Sequence, residues 1–262
     1  MSATPTDFTR RAGRPAPAAR RILRQGGYEI LAMLKNGEQL LLLILFPLMA
    51  LIGLTSTGFL DGWAREFGAS RVDLAMPGIL ALCTISTALS GQGIATGFDR
   101  RYGVLRFLST TPLGRGGLIA GKALAVLGVM VVQYAVMGAV GLFLGWDPHP
   151  TAVLASVPTL VLGAAAFTAL GLLVAGTIRA EATLAVVNTL WVLLATVGGT
   201  LLPARHFPGA AAALIELLPS GALGSGLRAE MLGQGPLWGP HLVLLVWAVA
   251  AGLLARRLFR WS

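Results

Sequence analysis

One run of the sequence nearly fits a nucleotide-binding pattern. Residues 116–123, GGLIAGKA, follow the phosphate-binding order GxxxxGK[ST] up to the last position. That position needs a hydroxyl that binds Mg²⁺, but it holds Ala123, and no strand precedes the run. We expect Lys122 to lie at the end of a membrane span, with its ammonium extended to the interface. ATP hydrolysis would therefore belong to another chain.

Two other residue sets could carry chemistry, and neither has the spacing that the chemistry requires. His149, His206 and His241 are far apart and include no i, i+4 pair, which argues against a metal site. Ser220 and His241 could pair as in a membrane-embedded serine protease, but Ser220 falls in a predicted loop without a GxSxG elbow. We predict no catalytic, cofactor or metal site in this chain.

The composition indicates a polytopic membrane protein. Of 262 residues, 55% are hydrophobic and 12% are charged, whereas soluble domains have roughly 25% charged residues. The single cysteine, Cys83, excludes an intrachain disulfide. Six apolar stretches can each cross a bilayer core, which takes ~20 helical residues. The sequence thus predicts an all-α protein with six transmembrane helices, at about 39–59, 74–97, 118–146, 151–178, 183–202 and 238–254.

The segments around these spans have patterns of their own. Residues 1–19 are predicted to be a disordered basic tail, and 20–262 the membrane domain. Within 20–37, an apolar stripe predicts an interfacial helix that lies in the headgroup plane. The connection 203–237 is too polar to span and too apolar for an ordinary loop, so we expect two re-entrant half-helices there. The stripe consists of Leu23, Gly27, Ile30 and Leu34.

The charges sort by membrane side. In the six-span topology, one side carries 16 Lys and Arg against five acids, and the other side carries four against six. Basic loops stay in the cytoplasm, so both termini are predicted to be cytoplasmic. The net charge of +9 is thereby explained without a nucleic-acid partner. We expect the protein to lie in the lipid bilayer of the cell membrane.

The stretch 97–122 is the most basic insertion between two spans. It is predicted to form one short amphipathic helix over 98–108, which ends before Pro112 because proline disfavours helix at Thr111. A loop that only sets topology needs the charge but not this helix–break–helix pattern.

The absence of carboxylates from the predicted span centres argues against ion-coupled transport. Three span amides could line a path, or could join helices by hydrogen bonds: Gln92, Gln133 and Asn188.

The run FDRRYGVLRFLSTTPLGRGGLIAGK resembles the cytoplasmic segment of type-2 ABC (ATP-binding cassette) exporter permeases. The similarity is greatest to actinobacterial antibiotic exporters of the daunorubicin type. It extends over about 20–262, because residues 36–39 and 218–221 also resemble the family. Tyr102 and Val104 depart from it, since an acid and a Thr are common there. The matching residues are Asp99, Arg100, Arg101, Gly103, Leu105, Leu108, Thr111, Pro112, Leu113, Gly121 and Lys122.

The resemblance implies a permease subunit with no enzymatic step of its own. It would pair with a second permease, identical or related, and with two ATP-binding subunits that hold ATP and Mg²⁺. It would export a hydrophobic or amphiphilic drug, antibiotic or lipid-like compound, and so could confer antibiotic resistance. A membrane scaffold without transport is the alternative, ahead of the serine protease. Residues of the coupling helix and its flanks would contact the ATPase: Asp99, Arg100, Arg101, Tyr102, Gly103, Leu105, Arg106, Thr111, Pro112 and Arg115.

Overall fold

The computed structural model describes residues 15–259, and every regular element in that range is helical. The predicted basic tail lies largely outside the described residues, since residues 1–14 are not among them. The α-helices are α1 (Ala18–Lys35), α2 (Gly37–Ser56), α3 (Asp61–Phe67), α4 (Arg71–Ile85), α5 (Gln92–Arg101), α6 (Val104–Ser109), α7 (Gly114–Phe143), α8 (Pro150–Thr177), α9 (Ala180–Thr196), α10 (Ala210–Leu217), α11 (Pro219–Met231) and α12 (Trp238–Leu258).

The centre of the fold is one continuous span over Arg71–Arg101. It consists of α4, a π-helical segment at Ser86–Gly91, and α5. Of its most apolar stretch, 89% is buried inside the protein, against 17% for α2 and for α12. Helices α2, α7, α8 and α11 pack on α4, while α8 and α9 pack on α5. The second span is therefore the core, and the outer helices keep apolar faces for lipid.

The prediction of an all-α polytopic membrane protein is confirmed. Five helical stretches among residues 15–259 are long and apolar enough to cross a membrane: α2, Arg71–Arg101, α7, α8 and α12.

The helix found at the predicted span 183–202 is shorter than expected. It is α9, whose 17 residues extend only about 26 Å at 1.5 Å per residue. The chain turns after α9, where Gly199 has φ +79°, a conformation that favours glycine.

Two short helices lie between the fifth and sixth predicted spans, as expected, and their re-entrant placement stays a prediction. Helices α10 and α11 meet at an angle of 89°, and Pro219 begins α11 at a position where its missing N–H is harmless. Helix α11 is largely buried against α4, α8 and α12. The Arg228 guanidinium donates hydrogen bonds to the carbonyls of Gly199 (2.7 Å) and Thr200 (2.8 Å). These bonds tie the bent pair to the turn after α9.

Helix α1 packs along α7 through a face that coincides only in part with the predicted stripe, since Ile30 and Leu34 of the stripe pack against α7. Gly26, Glu29 and Met33 are buried, whereas Leu23 is 62% exposed. The two helices approach closely at glycines, since a Cβ on Gly26 would lie 2.7 Å from a Leu124 methyl carbon. The location of helix α1 in the headgroup plane stays a prediction. The connection between the first two predicted spans, 39–59 and 74–97, contains α3.

Helix α8 approaches the central span closely at Gly171. A Cβ there would lie 2.9 Å from the carbonyl oxygen of Leu89 and 3.1 Å from that of Ala88. Both atoms belong to the backbone and cannot rotate away. On the facing helix, Gly93 contacts Gly171 and Gly97 contacts Thr183 of α9. The Gly93–Gly97 pair thus brings helices of the same chain together.

We predict that Gly171→Ala destabilises the protein by about 1–3 kcal/mol, because the added methyl overpacks the contact of α8 with the central span. The unfolding midpoint of the detergent-solubilised protein should fall by about 2–4 °C for each kcal/mol lost. The control is Gly27→Ala, where a Cβ meets no atom within 4 Å and alanine favours the helix. Its midpoint should stay the same or rise. An unchanged midpoint for Gly171→Ala would contradict the tight packing.

Candidate functional site

The segment between the second and third spans is a broken helix. Helix α5 ends at Arg101, Gly103 has φ +77°, and α6 follows at Val104–Ser109. The single helix predicted over 98–108 is therefore wrong in one respect, because the left-handed conformation at Gly103 interrupts it. The predicted break near Thr111 and Pro112 is present, since no helix covers 110–113. The chain therefore turns sharply after α5, and α6 lies across the tip of the turn. We call residues 102–113 the bend.

The bend exposes basic and aromatic side chains together. Tyr102 is 72% exposed and Phe107 is 71% exposed, and Arg101 and Arg106 are exposed beside them. Leu105 faces inward, where it is fully buried against a small cluster with Leu118 and Phe259. Exposed aromatic rings beside arginines are a composition enriched at the centres of protein interfaces.

The bend is held by a buried ion cluster around Lys122. The Lys122 Nζ lies 2.9 Å from Glu29 Oε1 and 2.9 Å from Asp99 Oδ2. Its side chain is fully buried, whereas the Asp99 side chain is 30% exposed. Gln25 adds a hydrogen bond of 3.0 Å to Glu29. We call Glu29, Asp99 and Lys122 the charge cluster. It joins α1, α5 and α7, and it corrects the prediction that the Lys122 ammonium extends to the interface.

Two arginines that precede the bend also bind the protein itself. Arg100 donates to the carbonyl oxygen of Ala175 at 2.9 Å, near the carboxyl end of α8, where a cation complements the helix dipole. Arg101 forms an exposed salt bridge with Glu181 at the start of α9. The pKa of Glu181 is lowered, chiefly by hydrogen bonding to its own backbone N–H and then by Arg101 and Arg179. The bend is thereby joined to α8 and α9.

The predicted contact residues thus differ in accessibility. Leu105 is buried and positions α6 rather than forming surface. Asp99 belongs to the charge cluster, and Thr111 donates through Oγ1 to the Leu108 carbonyl at 2.7 Å. Half-buried positions are Asp99, Arg100, Gly103 and Thr111; exposed positions are Arg101, Tyr102, Arg106, Pro112 and Arg115.

A cavity of about 850 Å³ lies beside the charge cluster, between α2, the π-helical segment with α5, and α9. Asn188, one of the three amides proposed for a path, lines it. The other two lie outside its wall. Gln133 donates to the Leu43 carbonyl at 2.8 Å and accepts from Thr87, and Gln92 donates to Thr96 at 3.3 Å. The observed contacts of Gln133 and Gln92 are thus hydrogen bonds within the helix bundle and not contacts with the cavity.

The π-helical segment contributes part of the cavity wall and had no clear signal in the sequence. Ser86, Ser90 and Gly91 line the cavity, and Trp191 of α9 donates to Ser86 Oγ at 2.7 Å. Gln39 of α2 donates to the Gly91 carbonyl at 3.3 Å. Wide helical turns of this kind free backbone groups for other partners and occur often at functional sites.

The comparison with protein families decides the class of the chain. Residues 26–232 match the sequence profile of a family described as ABC-2 type transporter. The chain belongs to this family. The matched region includes the charge cluster, the bend and the cavity wall. A comparison with curated proteins finds no significant match. The chain is therefore a transmembrane permease component of an ABC transporter, and the family is a transporter subunit that is not itself catalytic.

In this permease, the residues proposed for a serine protease do not meet. Ser220 is buried, and its hydroxyl has no hydrogen-bond partner among the described residues. His241 instead bonds Thr159 Oγ1 at 2.9 Å and the Leu237 carbonyl at 2.7 Å. It also lies 3.4 Å from Glu230, which accepts from Thr159. This polar cluster joins α8, α11 and α12, and none of the hydrogen bonds described for it involves Ser220.

We predict that Lys122→Met costs the permease about 3–5 kcal/mol, because it leaves Glu29 and Asp99 without their shared cation. The apparent unfolding midpoint and the yield of folded protein should both fall. Lys35→Met is the matched control, because Lys35 is the other lysine of the chain and is exposed. This substitution should change the free energy of unfolding by less than about 0.5 kcal/mol.

The rescue experiment separates charge from packing. The triple variant Glu29→Gln, Asp99→Asn, Lys122→Met has no formal charge in the cluster and should recover most of the lost stability. If the single Lys122→Met variant is as stable as the Lys35→Met control, the cluster does not hold the bend.

Proposed function

We propose that the chain is the permease of an ATP-driven exporter for a hydrophobic or amphiphilic compound, such as a drug, antibiotic or lipid-like molecule. Membership of the ABC-2 family supports the transporter class. The resemblance of residues 97–122 to actinobacterial antibiotic exporters of the daunorubicin type supports the export direction and a role in antibiotic resistance.

The partner in this proposal is a cassette ATPase in two copies, with ATP and Mg²⁺ bound on the ATPase. The bend carries the argument, because it presents Tyr102, Arg106 and Phe107 outward on a segment fixed from behind by the charge cluster. A surface of this kind suits insertion into a groove of another protein. Permeases of this family generally work with such a subunit.

The mechanism follows from the connections of the bend. Closure of the two ATPase subunits would displace α6, and the charge cluster would transmit this displacement to α1 and α7 through Lys122. Arg100 and Arg101 would transmit it to α8 and α9. ATP binding then favours the outward-open state because the ATPase contacts the two states differently.

A second permease, identical or related, completes the proposed assembly. Support comes from the outward apolar surface of α2, where Leu41, Phe46 and Met49 are each more than half exposed. We further propose that the protein lies in the cell membrane with both termini in the cytoplasm. The excess of Lys and Arg on one predicted side supports that orientation.

The coupling contact can be tested by affinity purification of the tagged permease from native membranes. We expect a Mg²⁺-dependent ATPase to co-purify with the wild type. Arg106→Glu reverses an exposed charge at the tip of the bend and should reduce the recovered ATPase about tenfold, as expected for loss of a central interface contact. Arg65→Glu on α3, equally exposed, should recover as much ATPase as the wild type.

The contact is disproved if Arg106→Glu and deletion of residues 98–108 both leave the recovered ATPase and the export rate unchanged. If no ATPase co-purifies with the wild type, the proposal of an ATP-driven exporter fails and a role as a membrane scaffold without transport becomes the better interpretation. The unfolding midpoint of the Arg106→Glu variant, compared with that of the wild type, shows whether loss of partner binding reflects the contact or the fold.

The orientation can be tested by labelling cysteines in intact cells. Cys83 is buried, so the native background is low. Glu66→Cys lies on the side proposed to be outside and should react with a membrane-impermeant maleimide. Ser109→Cys lies on the bend and should react only after the membrane is permeabilised. Labelling of Ser109→Cys in intact cells would reverse the topology and exclude the ATPase contact.

A further inference from the structure

A second, smaller cavity lies where α3, the turn after α9, α10 and α11 meet, on the side proposed to be outside. Its volume is about 180 Å³, which is below the range of ~300–1,000 Å³ that drug-sized ligands occupy. At roughly 30 Å³ for each water molecule, it has room for a small polar group with some solvent. The cavity therefore suits part of a molecule or a small ion.

This cavity gathers cations on the side of the protein that has few of them. The predicted outer side carries four basic residues, and two of these, Arg205 and Arg228, line the cavity. They are close enough for their charges to repel each other. Two like charges beside one small cavity are unfavourable unless an anion lies between them. The four basic residues are Arg65, Arg71, Arg205 and Arg228.

Arg228 has no anionic partner within the protein. None of the salt bridges among residues 15–259 includes it. Its guanidinium donates to the carbonyls of Gly199 and Thr200, which are neutral groups. The planar fork of a guanidinium has further N–H donors, and the structure describes no partner for those. Arg228 is half-buried, so an anion in the cavity would offset the cost of removing its charge from water.

Arg205 is held beside the same cavity but is not neutralised there. Its Cζ lies 4.3 Å from the centre of the Phe67 ring, and its Nη2 lies 3.3 Å from Glu66 Oε1 in an exposed salt bridge. Exposed bridges of this kind are weak. Glu216 is the one acid among the described lining residues. It is exposed and forms no salt bridge with Arg205 or Arg228.

Tryptophans place the cavity at the depth of lipid headgroups. Trp63 lines the cavity, and Trp238, which is 84% exposed, directly follows the lining residue Leu237. Tryptophan is enriched where a membrane protein meets the headgroup layer. A phospholipid of the outer leaflet could therefore bring its phosphate to the two arginines.

We propose that this cavity binds a phosphate group, from an anionic phospholipid headgroup of the outer leaflet or from free phosphate. Phosphate oxygens accept hydrogen bonds from more than one guanidinium, and these charge-assisted bonds are strong. The bound group would join Arg205 to Arg228 and so fasten α11 to the segment that precedes α10. The site is separate from the bend and from the larger cavity, and it does not depend on the compound that is transported.

The test is equilibrium binding to the full-length permease in an uncharged maltoside detergent, without an ATPase. Radiolabelled dihexanoylphosphatidylglycerol and radiolabelled inorganic phosphate are titrated separately. We expect saturable binding of the phosphatidylglycerol. Unlabelled dihexanoylglycerol, which has no phosphate, should fail to displace it.

Two variants should change the affinity in opposite directions. Arg205→Gln removes a cation from the cavity, so the Kd should rise about tenfold. Glu216→Gln removes the exposed acid from the lining, so the Kd should fall about twofold. Arg65→Gln is the matched control, because Arg65 is exposed on α3 and does not line the cavity. Its Kd should equal that of the wild type.

The unfolding midpoint of Arg205→Gln should stay close to that of the wild type, because the only salt bridge described for Arg205 is exposed. If the midpoint nevertheless falls, the opposite shift in Glu216→Gln decides the result. Arg228 is unsuitable as the deciding variant because it also holds the turn after α9.

Binding of the phosphatidylglycerol alone identifies a lipid headgroup site, and binding of inorganic phosphate alone identifies a site for the free anion. The proposal is overturned if neither probe binds saturably, or if dihexanoylglycerol displaces the phosphatidylglycerol. It is also overturned if Arg205→Gln and Glu216→Gln both bind as the wild type does. Because no ATPase takes part, these outcomes leave the coupling contact at the bend untouched.

Discussion

A buried ammonium is the constraint on which the half of the permease that contains the bend depends. Removing the Lys122 charge from water is costly, and only partners of opposite charge at hydrogen-bond distance offset that cost. The partners come from two other parts of the chain, Glu29 on α1 and Asp99 on α5. Three segments must therefore meet at one point before any of them is correctly placed. The close glycine contacts between α1 and α7 allow this by bringing the two backbones together.

The same cluster lies between the bend and the cavity beside it. On one side it supports the bend that would receive the ATPase. On the other side, Asp99 lines the cavity while its Oδ2 binds Lys122. A single carboxylate thus belongs both to the buried ion cluster and to the cavity wall.

Much of the fold could be predicted because membrane insertion imposes strong rules on sequence. The long apolar runs predicted most of the membrane helices. The details that failed depend on tertiary packing. Half of the predicted stripe on α1 packs as expected, since Ile30 and Leu34 contact α7, but Leu23 and Gly27 are exposed and the close contact with α7 lies at Gly26. The position of Lys122 at the end of a predicted span suggested that its ammonium extends to the membrane interface. Only the fold brings the distant Glu29 and Asp99 to it. The cavity depends on Trp191 and the π-helical segment, which no residue periodicity indicates.

The π-helical segment has a consequence for how the central span tolerates changes in length. A π turn accommodates one more residue than an α turn in the same helix. Loss of one residue within Ser86–Gly91 could be absorbed by a return to α-helical hydrogen bonding, with Asp99 still directed at Lys122. The same deletion within α5 has no such reserve and would turn the residues beyond it by about 100°. The central span should therefore tolerate loss of a residue within the π-helical segment better than within α5.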